Sequence, residues 1–189
     1  YLRNSDIPQY LIDGVVDIAI VGDNLLVEKG GDIEVIQKLG FSKCKVSVAV
    51  PKAFEYKSVQ DLDGMRIATS YPKTVLDFFN SKGVKVDIHE ISGSVEIAPN
   101  IGLADAIVDI VSSGSTLFKN NLKEVEVIFK SEAVLAVSPK VSFESQKIID
   151  TLKFRIESVL RARKSKYILM NVPNDKIDAV GKILPVLRS

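Results

Sequence analysis

The stretch GLADAIVDIVSSGSTL, residues 102–117, holds the residue types best suited to chemistry. Ala106, Ile107, Val108, Ile110 and Val111 read as an apolar strand. Ser112, Ser113, Gly114, Ser115 and Thr116 follow as a run of small side chains and hydroxyls, and a helix is expected to start near Thr116. A strand–loop–helix of this kind lets several backbone N–H groups converge on one anion, with the helix dipole adding partial positive charge. Gly114 permits a backbone turn that a Cβ would oppose. Asp105 and Asp109 precede the loop on the strand. Carboxylates there can accept hydrogen bonds from ribose hydroxyls or help hold a metal carried by pyrophosphate. A Ser/Gly cluster after a strand is in itself only a turn signal. The two acids, which a plain turn does not need, strengthen the phosphate reading beside the plain turn.

Other reactive types read more simply. His89 is the only histidine and lies in the alternating stretch DIHEI, so no histidine triad or histidine metal site can be built. Cys44 sits beside a strand start and reads as a small, partly buried residue. Arg161, Arg163, Lys164 and Lys166 end a long helical pattern, where cations complement the helix dipole. Tyr71 follows a strand and precedes Pro72, which favours a cleft position over a core one.

The elements that must position these residues alternate in type. VVDIAIVG (15–22), KVSVAVP (45–51), MRIATSYP (65–72), KVDIHEIS (85–92) and KYILMNVP (166–173) read as strands, and 125–139 as one or two more. TVLDFFNSKG (74–83) reads as a helix closed by Gly83. Residues 144–165 form the longest helix, with Ile148, Ile149, Leu152, Ile156, Val159 and Leu160 at helical spacing. Residues 174–184 read as a helix with Asn174 as N-cap. The alternation predicts an α/β fold with largely parallel sheets, its ligands held beyond the C-terminal strand ends. No Pro/Gly linker divides the chain, so any division into lobes must be made by crossing strands, with VSVAVP and AVLAVSP as candidates.

Composition sets outer bounds. The 189 residues are 46% hydrophobic and 26% charged, ordinary for a globular protein, with a net charge of +1. That balance points to no nucleic-acid or membrane partner, and no apolar run reaches the roughly 20 residues of a membrane span. One cysteine fits a reducing cytoplasm. The chain opens inside sequence that reads as ordered and stops abruptly at ILPVLRS, so a piece cut at both ends is expected.

The phosphate stretch resembles the segment that binds phosphoribosyl pyrophosphate (PRPP) in ATP phosphoribosyltransferases, and the likeness continues along the chain. YLRNSDIPQYL with GVVDIAIVGDNLL, LGFSKCKVSVAVP, MRIATSYP, GSVEIAP, SEAVLAV and RIESVLRARKSKYILMNVP all resemble that family. The resemblance implies a two-lobed fold of the periplasmic-binding-protein type (type II), with the active site in the cleft. One lobe would hold 1–41 and 138–189, lacking its first strand, and the other 42–137. The implied reaction transfers the phosphoribosyl group of PRPP to N1 of ATP with Mg²⁺, as the committed step of histidine biosynthesis. Glu96 and Asp109 would be the acids at the ribose. Asp105, Asp109, Ser112, Ser113, Gly114, Ser115 and Thr116 would bind PRPP, while Arg3, Asp23, Asn24, Arg66 and Tyr71 would line the nucleotide side.

No dedicated protein metal site is implied. A homo-oligomer, from dimer to hexamer, and feedback by histidine through a C-terminal domain belong to the same implication. The sequence departs from the family in lacking the opening strand and its Lys-Gly-Arg-Leu-like turn, which puts part of the cationic help for two anionic substrates in doubt. The rival readings are a two-lobed small-molecule binding module and a phosphoribosyltransferase with another acceptor.

Overall fold

A computed structural model describes residues 2–166 and 168–184. It comprises two compact units, 1–153 and 154–189. In the first, α1 (Ile7–Asp13) starts with Pro8 in its first turn and stops at Gly14, whose φ of 73° supplies a left-handed cap. There follow β1 (Ile18–Gly22), α2 (Asp23–Lys29), β2 (Glu34–Lys38), β3 (Cys44–Pro51), β4 (Arg66–Thr69), α3 (Pro72–Ser81) and β5 (Asp87–Glu90). The unit continues with β6 (Ala106–Val111), α4 (Ser115–Lys119), β7 (Leu122–Ser131) and β8 (Ala133–Val137), then the start of α5 (Phe143–Lys164).

Two sheets result, a small one ordered β1-β8-β2 and a large one ordered β5-β4-β6-β3-β7. Among the described residues only the β5–β4 and β4–β6 ladders are parallel. Those of β3 with β6 and β7, and of β8 with β1 and β2, are antiparallel, so the expectation of largely parallel sheets is corrected. The reason is topological. β3 and β8 are the strands by which the chain arrives from the other sheet, so each starts at the edge where its neighbours end. Cys44 pairs with Ser131, and Ala133 with Gly22. By strand pairing the return crossing falls at Glu132. The expected border at 137/138 therefore moves, because β8 belongs to the small sheet. Neither VSVAVP nor AVLAVSP spans both sheets; each is the first strand after a crossing.

This layout aims the C-terminal ends of β1, β2, β6 and β7 at the crossings. The large sheet buries both faces. Val46, Val48, Ile67 and Val108 pack with Val75 and Phe79 of α3 on one side. Ala49, Ala68, Ile107 and Val111 pack with Val95 and Leu117 on the other. Leu11, Val21, Leu26, Val134 and Ala136 form the core of the small lobe.

Several expectations at the C-terminal end change. α5 matches the predicted long helix, but only Ile149 of its apolar set is fully buried, while Ile148 and Val159 are exposed. The predicted strand 166–173 is not formed over 168–173; Tyr167 lies outside the described residues. Asn174 begins a 3-10 turn (Asn174–Lys176) instead of capping a helix; Lys176 precedes α6 (Ile177–Ile183) and makes no side-chain cap bond. Among the described residues no helix is long and apolar enough to cross a membrane.

Candidate active site

The loop after β6 has the geometry of an anion cradle. Gly114 has a φ of 74°, a conformation other residues rarely adopt, and a Cβ there would meet no atom within 4 Å. The glycine is thus required by backbone conformation and not by crowding. Ser113 and Ser115 share a hydroxyl–hydroxyl hydrogen bond of 3.0 Å. Among the described residues, the amides of Ser112, Ser113 and Gly114 donate to no acceptor. The helix expected near Thr116 starts at Ser115 and is five residues long. So short a helix adds little dipole, and the free amides and hydroxyls are the groups by which the loop can hold an anion.

Asp109 lies two residues before the end of β6, opposite Ser47. It is half-buried and accepts a bond from the amide of Ile110 at 2.7 Å. Burial, and then the Glu96 carboxylate, push its pKa above the usual carboxylate value against the opposing pull of that amide. Glu96 reaches this region from a 3-10 turn, Val95–Ile97, that packs on the same face of the sheet through Val95. Tyr71, at the end of β4, is buried. Its phenol is pushed up to about 12, first by burial and then by Asp109. Asp109, Glu96 and Tyr71 thus share one end of the large sheet with the serine loop.

Asn24 closes the set from the small lobe. It is buried; its Nδ2 donates to Tyr71 Oη at 3.2 Å, its Oδ1 accepts from Ser131 Oγ at 2.8 Å, and its own amide donates to that Oγ at 3.0 Å. Each end of the side chain holds a residue of the other lobe, so Asn24 ties the crossing together. Asp23 heads α2, its amide held by the carbonyl of Glu132 at 3.0 Å. Arg3 is exposed ahead of α1, and among the described residues its side chain forms no hydrogen bond.

Two expected residues lie elsewhere. Arg66 and Asp105 sit at the N-terminal ends of β4 and β6. There Nη2 meets Asp105 Oδ1 at 2.7 Å, Nε meets Oδ2 at 3.1 Å, and Nη1 donates to the carbonyl of Gly102 at 3.0 Å. The six residues of β6, at about 3.3 Å each, put this pair some 20 Å from the serine loop. Neither joins the cluster, and each holds the other: the pair lowers the Asp105 pKa and raises that of Arg66.

Four lysines that the sequence reading did not single out stand at the crossings. A cleft of about 460 Å³ is lined by Lys38, Lys43, Lys45 and Lys130 and reaches the loop at Ser112. Lys45 is paired with Glu124 at 2.6 Å; among the described residues the other three form no salt bridge. The signal was the run of lysines at 38, 43 and 45, which only the pairing of Cys44 with Ser131 brings beside Lys130.

Two α/β lobes joined by paired crossings, with loops from both facing the crossings, define the type II periplasmic-binding-protein-like fold. The substrate-binding protein of an amino-acid ABC transporter shares it at a TM-score of 0.61, with 17% identity over 84% of this chain and 71% of that one. The family model for ATP phosphoribosyltransferase matches residues 3–158, and this chain belongs to that family. The ATP phosphoribosyltransferase of Cytophaga hutchinsonii is 55% identical over all 189 residues, and that of Parabacteroides distasonis 52%. The chain spans 66% and 67% of their lengths, about two thirds. The ATP phosphoribosyl transferase (HisG:HisZ) complex from Thermotoga maritima gives a TM-score of 0.74 at 31% identity, over 85% of this chain and 78% of that one.

Proposed function

We propose that the protein containing this chain transfers the phosphoribosyl group of PRPP to N1 of the adenine of ATP and releases pyrophosphate, opening histidine biosynthesis. The observation that carries the reading is the cradle of unpaired amides at Ser112–Gly114, set beside Asp109 and the crossing lysines in a chain of this family.

The 5-phosphate of PRPP rests on the loop amides and on the hydroxyls of Ser113, Ser115 and Thr116. Asp109 accepts hydrogen bonds from the ribose hydroxyls, and Glu96 beside it orients the ring. In the displacement the bond from N1 to the anomeric carbon forms as the bond from that carbon to pyrophosphate oxygen breaks. Positive charge builds on the ribose ring and negative charge on the leaving group. Lys38, Lys43 and Lys130 are placed to meet the negative charge, and holding two anions in line supplies much of the rate.

Among the described residues no cluster of three or more acids, histidines or cysteines can cage a metal. Mg²⁺ keeps water ligands and binds through one or two carboxylates plus substrate phosphates. Asp109 and Glu96 would be the carboxylates nearest the ribose, and the ion would supply charge neutralisation on pyrophosphate. A cytoplasmic homo-oligomer, with histidine feedback through a domain outside these residues, completes the reading.

Asp109→Asn in the full-length protein tests it. Charge-assisted hydrogen bonds contribute about 1.5–3 kcal/mol each, so PRPP affinity should fall roughly ten- to a hundredfold. ATP affinity measured without PRPP should barely change. An equal loss for both ligands would mean a general disturbance of the lobe and no ribose contact.

A further inference from the structure

The N-terminus of α3 is capped from the other lobe. Pro72 has no N–H, and Val75 N donates to the carbonyl of Tyr71 at 3.0 Å. The two remaining first-turn amides, of Lys73 and Thr74, both donate to the Glu28 carboxylate at 2.9 Å, and the Thr74 hydroxyl donates to it at 2.7 Å. Tyr71, the residue in the N-cap position, makes no side-chain cap bond. Every donor that a helix start leaves orphaned is therefore satisfied, two of them by a residue 45 and 46 positions away on α2. One turn earlier on α2, Asn24 holds Tyr71. The chain itself joins the two lobes at the crossings, and a rotation about those would break these hydrogen bonds between α2 and α3.

We propose that Glu28 is a positioning residue for the transfer reaction. Its carboxylate clamps α2 onto the start of α3 and so sets the width of the cleft in which Asp109 and the serine loop meet substrate. The inference rests on the cleft being the substrate site. Glu28 has both oxygens committed to α3 and none to the loop, so it acts on the population of the closed cleft. Apparent affinity for any ligand of the closed form falls in proportion to that population, so two substrates should respond by the same factor.

The test compares Glu28→Ala and Glu28→Gln with the unaltered full-length protein, by amide hydrogen exchange and by titration of PRPP and of ATP. In Glu28→Ala, exchange at Lys73 and Thr74 should speed up about tenfold or more, and both dissociation constants should rise by a common factor of about ten. Glu28→Gln, with one acceptor oxygen where there were two, should fall between. Unchanged protection at the two amides would overturn the clamp. So would a loss confined to one substrate, which would make Glu28 a ligand contact, or faster exchange along the whole of α3, which would make it a holder of the helix alone. If the unaltered protein bound neither ligand while the effect at the two amides persisted, the phosphoribosyl reading would fall and the clamp would stand.

Discussion

Gly22→Ala reaches the crossing through a single methyl group. Gly22 has a φ of −69° and ψ of 131°, which alanine adopts freely, so backbone strain contributes nothing. An added Cβ would lie 2.5 Å from Asn24 Oδ1, and ordinary contact begins at 3.4 Å, so the amide must retreat by about 0.9 Å. That oxygen is the acceptor for Ser131, and the same side chain donates to Tyr71. Losing both bonds costs about 1 kcal/mol each, and stranding a buried polar group adds about 1–3 kcal/mol, so a total near 3–5 kcal/mol is expected. Urea unfolding of the full-length protein measures it as a fall in midpoint at constant slope. The cycle with Asn24→Ala is decisive. Without the amide there is nothing to strike, and Gly22→Ala should then cost less than about 0.5 kcal/mol. An equal cost in both backgrounds would refute the reasoning.

Three further outcomes follow from the site. Gly114→Val forces a branched residue into a φ of 74° without meeting any neighbour, so the fold should survive while PRPP binding is lost; unchanged affinity by calorimetry would remove the loop from the site. Because the Asp109 pKa is raised in the folded state, its stabilising contribution is full below the unfolded value and lost as pH rises through the folded one. Asp109→Asn should therefore raise the melting temperature at neutral pH, and the gain should vanish in acid; a gain that grows in acid would reverse the sign. Arg66→Gln, far from the loop, should leave PRPP and ATP affinities within about twofold, and a tenfold loss for ATP would restore Arg66 to the nucleotide side.

The serine loop was legible because its chemistry and its backbone demand coincide in a few neighbouring residues. A glycine between serines, after an apolar strand, states the turn, and the acids before it carry the proposal of a ligand. Asp105 misled for the same reason. It is four residues from Asp109 in sequence, but on an extended strand that separation reaches toward the opposite edge of the sheet, where Arg66 takes it up. Asn24 carried no sign of its role, since its partners Tyr71 and Ser131 come from the other lobe. Strand direction was hidden too: VSVAVP and AVLAVSP look like any buried strand, and only the crossings that precede them make them run against their neighbours. The cationic lysines were visible one by one, yet nothing in a linear reading put Lys130 beside Lys43.

The central claim is tested most directly by supplying the full-length protein with PRPP, Mg²⁺ and ATP and following the product by its mass and by the release of pyrophosphate. Phosphoribosyl-ATP and pyrophosphate should form in equal amounts, and adenine, guanine or orotate in place of ATP should give no product. Phosphoribosyl transfer to one of those bases but not to ATP, or binding of both substrates without turnover, would contradict the account.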